Sequence, residues 1–455
     1  MTSELLTELN KNYKKDSPLG ALMHSWITDL FPICRSITGH GARETLAYIK
    51  GLLPELKICE VPSGSRVFDW TIPDEWNIKD AFVSDQSGKR IIDFQQNNLH
   101  VVGYSEPVDR EMLFEELDKN LYSLPNQPAA IPYITSYYKR HWGFCLTESQ
   151  RNELRKNPKA KYHVKIDSTL EPGSLTYGEL IIPGQTKQEV LLSTYICHPL
   201  IANNELSGPV LATALSQDLT LNPNRRYTYR ILFVPETIGA IAYLKQHHET
   251  MKKNTVAGFV LSCMGDNRAY SYIASRLGNT LADRVAQHVL RQQDSAYKSY
   301  TFLARGSDER QYCSPGIDLP VCGICRTKYG DYPEYHTSLD NLELVTAEGL
   351  EGSLQVMKKC LYILEENKIF RCKEKCEPQL GKRGLYPILS TKERNENGRS
   401  SQTMLNLAAY ADGQHDLLSI AEIIGTNINE LVPMARKLVE LNILEEVNWN
   451  IDPSM

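Results

Sequence analysis

Between Glu189 and Glu366, short apolar runs alternate with amphipathic stretches, and that alternation leaves the chain few ways to fold. The runs at 189–195, 230–234, 256–261 and 319–324 are too short for helices and are bounded by breaks. Stretches of helical periodicity, 209–216, 239–248, 280–292 and 347–366, separate or follow them. Strand and helix in turn predict an α/β sheet of mostly parallel strands, because parallel neighbours need a crossover and a helix is the usual one. Ligands in such sheets collect beyond the carboxyl ends of the strands. Three polar segments follow apolar runs here: Cys197-His198-Pro199, Pro235-Glu236-Thr237 and the segment around Asp308.

The flanking regions read differently. Residues 19–30 and 42–53 predict two helices about the turn Thr38-Gly39-His40-Gly41. From about 60 to 107 short alternating stretches, punctuated by Asp85, Ser87-Gly88 and Asn97-Asn98, predict a small β-rich domain. A short helix is expected near 113–124, with strands again at 162–166 and 178–182. After 377, helices at 401–410, 417–424 and 429–441, with Gly425 breaking the second from the third, precede a strand at 444–447. That is the outline of a winged helix. The expected domains are therefore a discontinuous core (1–59 and 108–377), an insertion (60–107) and a C-terminal unit (378–455).

Composition excludes several function classes. With 455 residues, 42% hydrophobic and 23% charged, the chain is ordinary for a globular protein of two or three domains. A net charge of −5 gives no global field for nucleic acid or an anionic membrane. Residues 1–16 are polar, without the apolar stretch of a signal peptide, and no apolar run nears the roughly 20 residues that span a bilayer. Eleven scattered cysteines, an odd number, suit reduced thiols and a cytoplasmic location. Cys322 and Cys325 form a CxxC, but three residues apart on a strand they face opposite ways and read as core thiols. By the same alternation Cys197, preceding His198 on its strand, is expected to point away from it.

Imidazoles and carboxylates at the ends of buried strands are what a catalytic metal site requires, since the sheet holds them rigid beside open loops. His198 and His336 are the candidate metal-ligating imidazoles. Glu236 has two roles open to it: capping the helix that follows, or accepting a proton from an attacking water. Arg310 and Arg326 could bind a carboxylate or phosphate of a substrate, or be ordinary surface charges. In the C-terminal unit, seven Lys or Arg stand against ten Asp or Glu, a local balance of −3, so no nucleic-acid binding is expected. A structural or dimerising role, and hence a possible homo-oligomer, is expected instead.

Ser193-Thr194-Tyr195-Ile196-Cys197-His198-Pro199, running on to Ala202-Asn203-Asn204-Glu205-Leu206-Ser207-Gly208, resembles the first metal motif of zinc aminopeptidases of the leucyl aminopeptidase and carboxypeptidase type. Pro235-Glu236-Thr237-Ile238-Gly239, Ser307-Asp308-Glu309-Arg310-Gln311-Tyr312 and Tyr335-His336-Thr337 resemble the later motifs. A closer resemblance is to a bacterial family of aminopeptidase-like proteins associated with polysaccharide-biosynthesis genes, with a small inserted β domain and a C-terminal winged helix. Phe31-Pro32-Ile33-Cys34-Arg35-Ser36, Asp69-Trp70-Thr71-Ile72-Pro73, Ser136-Tyr137-Tyr138 and Lys382-Arg383-Gly384-Leu385-Tyr386-Pro387 carry it, over nearly the whole chain.

That resemblance implies a zinc-peptidase core with Glu236 as general base and Tyr335 steadying the oxyanion. Tyr335 is equally well read as a packed aromatic, one of 24 tyrosines. The resemblance also places the bridging aspartate at Asn204, the ligand glutamate at Thr237 and the second aspartate near Ser262. Amide and hydroxyl groups are poor zinc ligands, so one zinc rather than two is expected. Its expected ligands are His198, His336 and Glu205, with Glu236 as the alternative carboxylate. The expected activity is metal-dependent hydrolysis of a small peptide or amide, aminopeptidase-like. The alternatives are an amidase or deacylase acting on an N-acylated sugar, and a scaffold or regulator that has lost its ligands.

Overall fold

Strand Glu189–Tyr195 is buried at every one of its seven residues, the pattern of a strand covered on both faces. It lies inside an eight-stranded sheet of β1 (Lys57–Pro62), β2 (Ser174–Ile182), β3 (Glu189–Tyr195), β4 (Thr228–Val234), β5 (Thr255–Leu261), β6 (Ser271–Ile273), β7 (Lys298–Tyr300) and β8 (Val321–Cys325). The order is β1-β2-β4-β3-β5-β8-β6-β7. The four central strands β4, β3, β5 and β8 run parallel. On one side β1 and β2 join antiparallel; on the other, β6 runs antiparallel to β8 and parallel to β7. The sheet is therefore mixed at its edges and parallel where the site residues emerge. Helices Ser207–Leu221, Ile238–Asn254 and Leu281–Gln293 supply crossovers, as the alternation required.

The structure, a computed structural model, describes residues 18–385 and 396–447, in two units that divide after Met357. The N-terminal residues 1–16, and Tyr386 and Pro387 of the C-terminal motif, lie outside the described residues. No described helix is long and apolar enough to cross a membrane.

Two expected boundaries shift. The small β domain reaches beyond 60–107: strand Glu75–Ser84 pairs with Arg90–Asp93 on one side and with Lys161–Glu171 on the other, and Val108–Leu113 completes a four-stranded antiparallel sheet. Pairing over some eighty residues leaves no local trace, which is why the sequence pattern missed it. In the second unit, strand Ile369–Cys372 is the middle of a three-stranded sheet with Asp412–Asp416 and Leu444–Val447, so that unit begins before 378. Helices Glu396–Tyr410, Leu417–Ile424 and Ile428–Glu440 complete a winged helix. Gly425, with φ of +68°, ends the middle helix in the left-handed conformation that glycine adopts without strain.

Candidate active site

The β3 strand ends at Tyr195, and the next residues leave the sheet. Ile196 still donates to the Val234 carbonyl (3.0 Å), but Cys197 and His198 do not alternate as strand residues. Both face the same cavity, and Cys197 Sγ lies 3.5 Å from His198 Nδ1. The expectation that Cys197 points away from His198 fails because the strand stops two residues earlier.

Buried Arg35 donates through Nε to the His198 carbonyl (2.9 Å) and through Nη1 to that of Leu30 (2.7 Å). The chain then forms a π-helical turn, Ala202–Leu206, entirely buried. Asp340 organises it. Its carboxylate accepts the backbone N–H groups of Ala202 (3.2 Å), Asn203 (2.5 Å) and Asn204 (3.1 Å) and the hydroxyl of Tyr332 (2.8 Å). Burial nevertheless raises its pKa to about 6. The turn brings Glu205 Oε2 to 2.6 Å from His198 Nδ1. Glu205 is fully buried, 3.8 Å from Arg35 Nε, and does not reach the cavity.

Glu236 follows β4 and Pro235. Its N–H points at Cys197 Sγ (3.3 Å), and its Oε2 lies 3.7 Å from His198 Nε2. The following residue, Thr237, is strained at φ of +65°, and its N–H is held by Asp308 Oδ1 (2.7 Å). No side chain caps helix Ile238–Asn254, so the capping role once open to Glu236 is not the one it plays.

His336 also has a positive φ, +54°, stabilised from the neighbouring loop: Tyr133 N–H donates to its carbonyl (2.8 Å), and Pro132 bridges to Thr337. The two imidazole rings thereby stand 5.2 Å apart, centre to centre, with Tyr133 at 5.0 and 5.2 Å from them. His336 Nε2 lies 3.2 Å from Asn204 Oδ1. Tyr335 stacks on His336 at 3.9 Å and is not part of the cavity wall. Arg310 is on the wall, whereas Arg326 stacks on Tyr270 at 3.9 Å and bonds to Asn267 away from it. Cys322 and Cys325 are buried core thiols.

Electrostatics separate the two histidines. Burial pulls His198 down, but Glu205, then Glu236, outweigh it and hold the imidazole above its ordinary pKa. His336 is driven down to about 3 by burial and by the charge of His198, so it is a neutral donor. Burial raises Glu236 above the usual carboxylate range despite His198 and Arg310. The cavity they share is about 400 Å³. Sequence reasoning singled out His198, Glu236 and His336 but gave no role to Tyr133, Tyr137, Arg35 or Asp340. Tyr137 and Arg35 stood in quoted motifs. Tyr133, within Ile131-Pro132-Tyr133-Ile134, carries no local signal of its place between two histidines.

Residues 24–367 match the profile of a domain of unknown function, DUF4910, and residues 368–446 that of a winged helix-turn-helix. A Clostridium acetobutylicum protein, provisionally named a polysaccharide biosynthesis protein with an aminopeptidase-like domain, is 42% identical over 97% of this chain and 100% of its own. A crystal structure of a provisionally named peptidase from Clostridium acetobutylicum shares the fold with a TM-score of 0.88, at 41% identity over 97% of this chain and 100% of that one. BSAP, a zinc aminopeptidase from Bacillus subtilis, aligns with a TM-score of 0.55 at 13% identity, over 77% of this chain and 96% of its own. A Shewanella amazonensis M28 peptidase precursor gives 0.52 at 12%, over 80% and 97%. These last two likenesses concern fold alone: the first unit is aminopeptidase-like.

Proposed function

The chain belongs to the DUF4910 family, aminopeptidase-like in fold and joined here to a winged helix, and from that premise we propose that it hydrolyses an amide bond in the cavity walled by His198, Glu236 and His336. One observation carries this reading. Two imidazoles and a carboxylate, from three separate segments, converge on one open cavity at the carboxyl ends of parallel strands.

The donor set suits one zinc ion, not two. Asn204, where a bridging aspartate would sit, spends its amide on Tyr195 (2.7 Å) and its carbonyl oxygen on His336. Thr237 and Ser262 offer hydroxyls, which are weak zinc ligands. Cys197, His198 and Glu205 also form a tight buried cluster, but beside Arg35, whose charge opposes a dication there. The His198 and His336 imidazoles would hold the ion, His198 through the Nε2 that Glu205 leaves free. When bound, zinc polarises a carbonyl and acidifies water.

The remaining steps belong to the chain. Glu205 accepts from His198 Nδ1, fixing the tautomer that leaves Nε2 for the cavity and raising its donor strength. Glu236 takes a proton from the attacking water and passes it to the leaving nitrogen; its raised pKa suits both transfers. Tyr133 and Tyr137, hydroxyl to hydroxyl at 2.8 Å, put phenols on the wall where an oxyanion would form. Tyr335 positions His336 by stacking.

The relative's name favours a second substrate reading, deacylation of an N-acylated sugar, which uses the same groups. Protein purified without added zinc should contain about one metal per chain and release amine from an acyl-amide library. Absence of metal together with no uptake on titration, or no turnover by the loaded protein, would reject the hydrolase and favour a scaffold.

A further inference from the structure

Among the described residues on the cavity wall, Arg310 is the one charged residue that the proton transfers leave without a task. It lies on the short helix Glu309–Tyr312, donates through Nη2 to Thr237 Oγ1 (2.5 Å), and stands 3.9 Å from Glu236 Oε1. Among the described residues its Nε has no hydrogen-bond partner. Among the described residues lining the cavity, Glu236 is the one acid. Asp308 and Glu309 are buried behind the wall. Asp308 holds the Thr237 N–H, and Glu309 Oε1 accepts from Gly306 N, Ser307 N and the Tyr329 hydroxyl.

A carboxylate is the group that best offsets a free amino terminus taken out of water as its ammonium. Here the single available carboxylate already faces His198 and Arg310, so no acid on the wall is left for an ammonium. A guanidinium there presents a planar fork of N–H donors to an anion. Towards solvent, the exposed rings of Trp70 and Tyr138, 5.5 Å apart and edge to face, offer an apolar surface without charge. Resting on the hydrolase reading of this cavity, we propose that its substrate is an acylated amide carrying an anionic group, carboxylate or phosphate, near the scissile bond. Arg310 recognises that group.

Calorimetric titration of the full-length protein tests this with four probes. N-acetylglycine and N-acetylglucosamine 1-phosphate are acylated anions, N-acetylglycinamide is the neutral control, and glycinamide carries a free ammonium. Because the Arg310 side chain is partly exposed, the preference for an anion over the neutral amide should be modest, about tenfold. Whichever anion shows it identifies the source of the charge. Arg310→Gln should reduce that anion to the neutral level, and Arg310→Lys should keep part of the preference. Tighter binding of glycinamide, an anion preference that survives Arg310→Gln, or no binding of either anion at millimolar concentration overturns the proposal. Amine release is followed separately. Anion preference without turnover of any probe would count against the hydrolase and leave Arg310's role standing, while turnover of a free-amine probe alone would do the reverse.

Discussion

Glu236 holds its place through backbone it does not itself determine: Pro235 ends the strand, and Thr237 is pinned in a strained conformation by Asp308. Its exchange for glutamine keeps the shape and removes the base. Glu236→Gln should therefore retain metal while turnover falls by on the order of 10²–10⁴-fold. Metal lost with activity would make Glu236 a ligand instead. The histidines give a complementary test. Replacing both His198 and His336 with alanine should abolish zinc binding, measured by metal analysis, with the circular dichroism spectrum unchanged. Stoichiometric zinc in the double variant would place the metal elsewhere.

Between elements, the clearest electrostatic link joins helix His40–Leu52 to strand Glu75–Ser84. Arg43 donates to both carboxylate oxygens of Glu75, and Asn77 and the Ser174 N–H add further donors. Arg43 first, then these donors, hold Glu75 down to about 2 against its burial. The folded pKa lies below the unfolded 4.5, so the stabilisation is present above about 4.5 and lost as pH falls from there towards 2. Glu75→Gln should lower stability at pH 7 by about 1–3 kcal/mol and flatten the acid limb of a denaturation series. An unchanged acid limb would mean the pair contributes nothing. Asp340 works by similar means on the turn at 202–206, but there backbone N–H groups rather than a cation supply the donors.

For the molecule as a whole, the second unit raises the question of DNA, because its fold is one that enters grooves. Among the described residues, three of its cations are spent locally: Arg436 pairs with Glu366 (2.5 Å), Lys437 with Glu440 (3.3 Å) and Lys368 with Glu446 (2.8 Å). A unit that neutralises few phosphates releases few counterions. Duplex binding by the full chain should be weak and nearly flat between low and moderate salt, as read by fluorescence anisotropy. Submicromolar affinity with a steep salt slope would show that the charge argument fails and that the winged helix binds nucleic acid.

How far the sequence reached follows the range of the forces involved. Alternation at 189–366 set the parallel centre of the sheet, because periodicity, strand length and the need for crossovers are local properties. Strand β3, Glu189–Tyr195, and helices Leu19–Leu30, Ala347–Glu366 and Leu417–Ile424 stand where the pattern put them. His198 and Glu236 were legible for the same reason: each follows an apolar run, and such runs end at the edge where ligands gather. Other features needed the fold. Strand Lys161–Glu171 joins the small sheet through a partner far away in sequence, and Tyr133 meets the two histidines only because a distant loop grips the His336 carbonyl. Glu205 was expected as a zinc ligand; that it meets His198 at Nδ1 with Arg35 behind came only from the fold. Residue types and local order come from the chain itself, whereas the atom each group faces depends on long-range packing, which single-sequence periodicity does not encode.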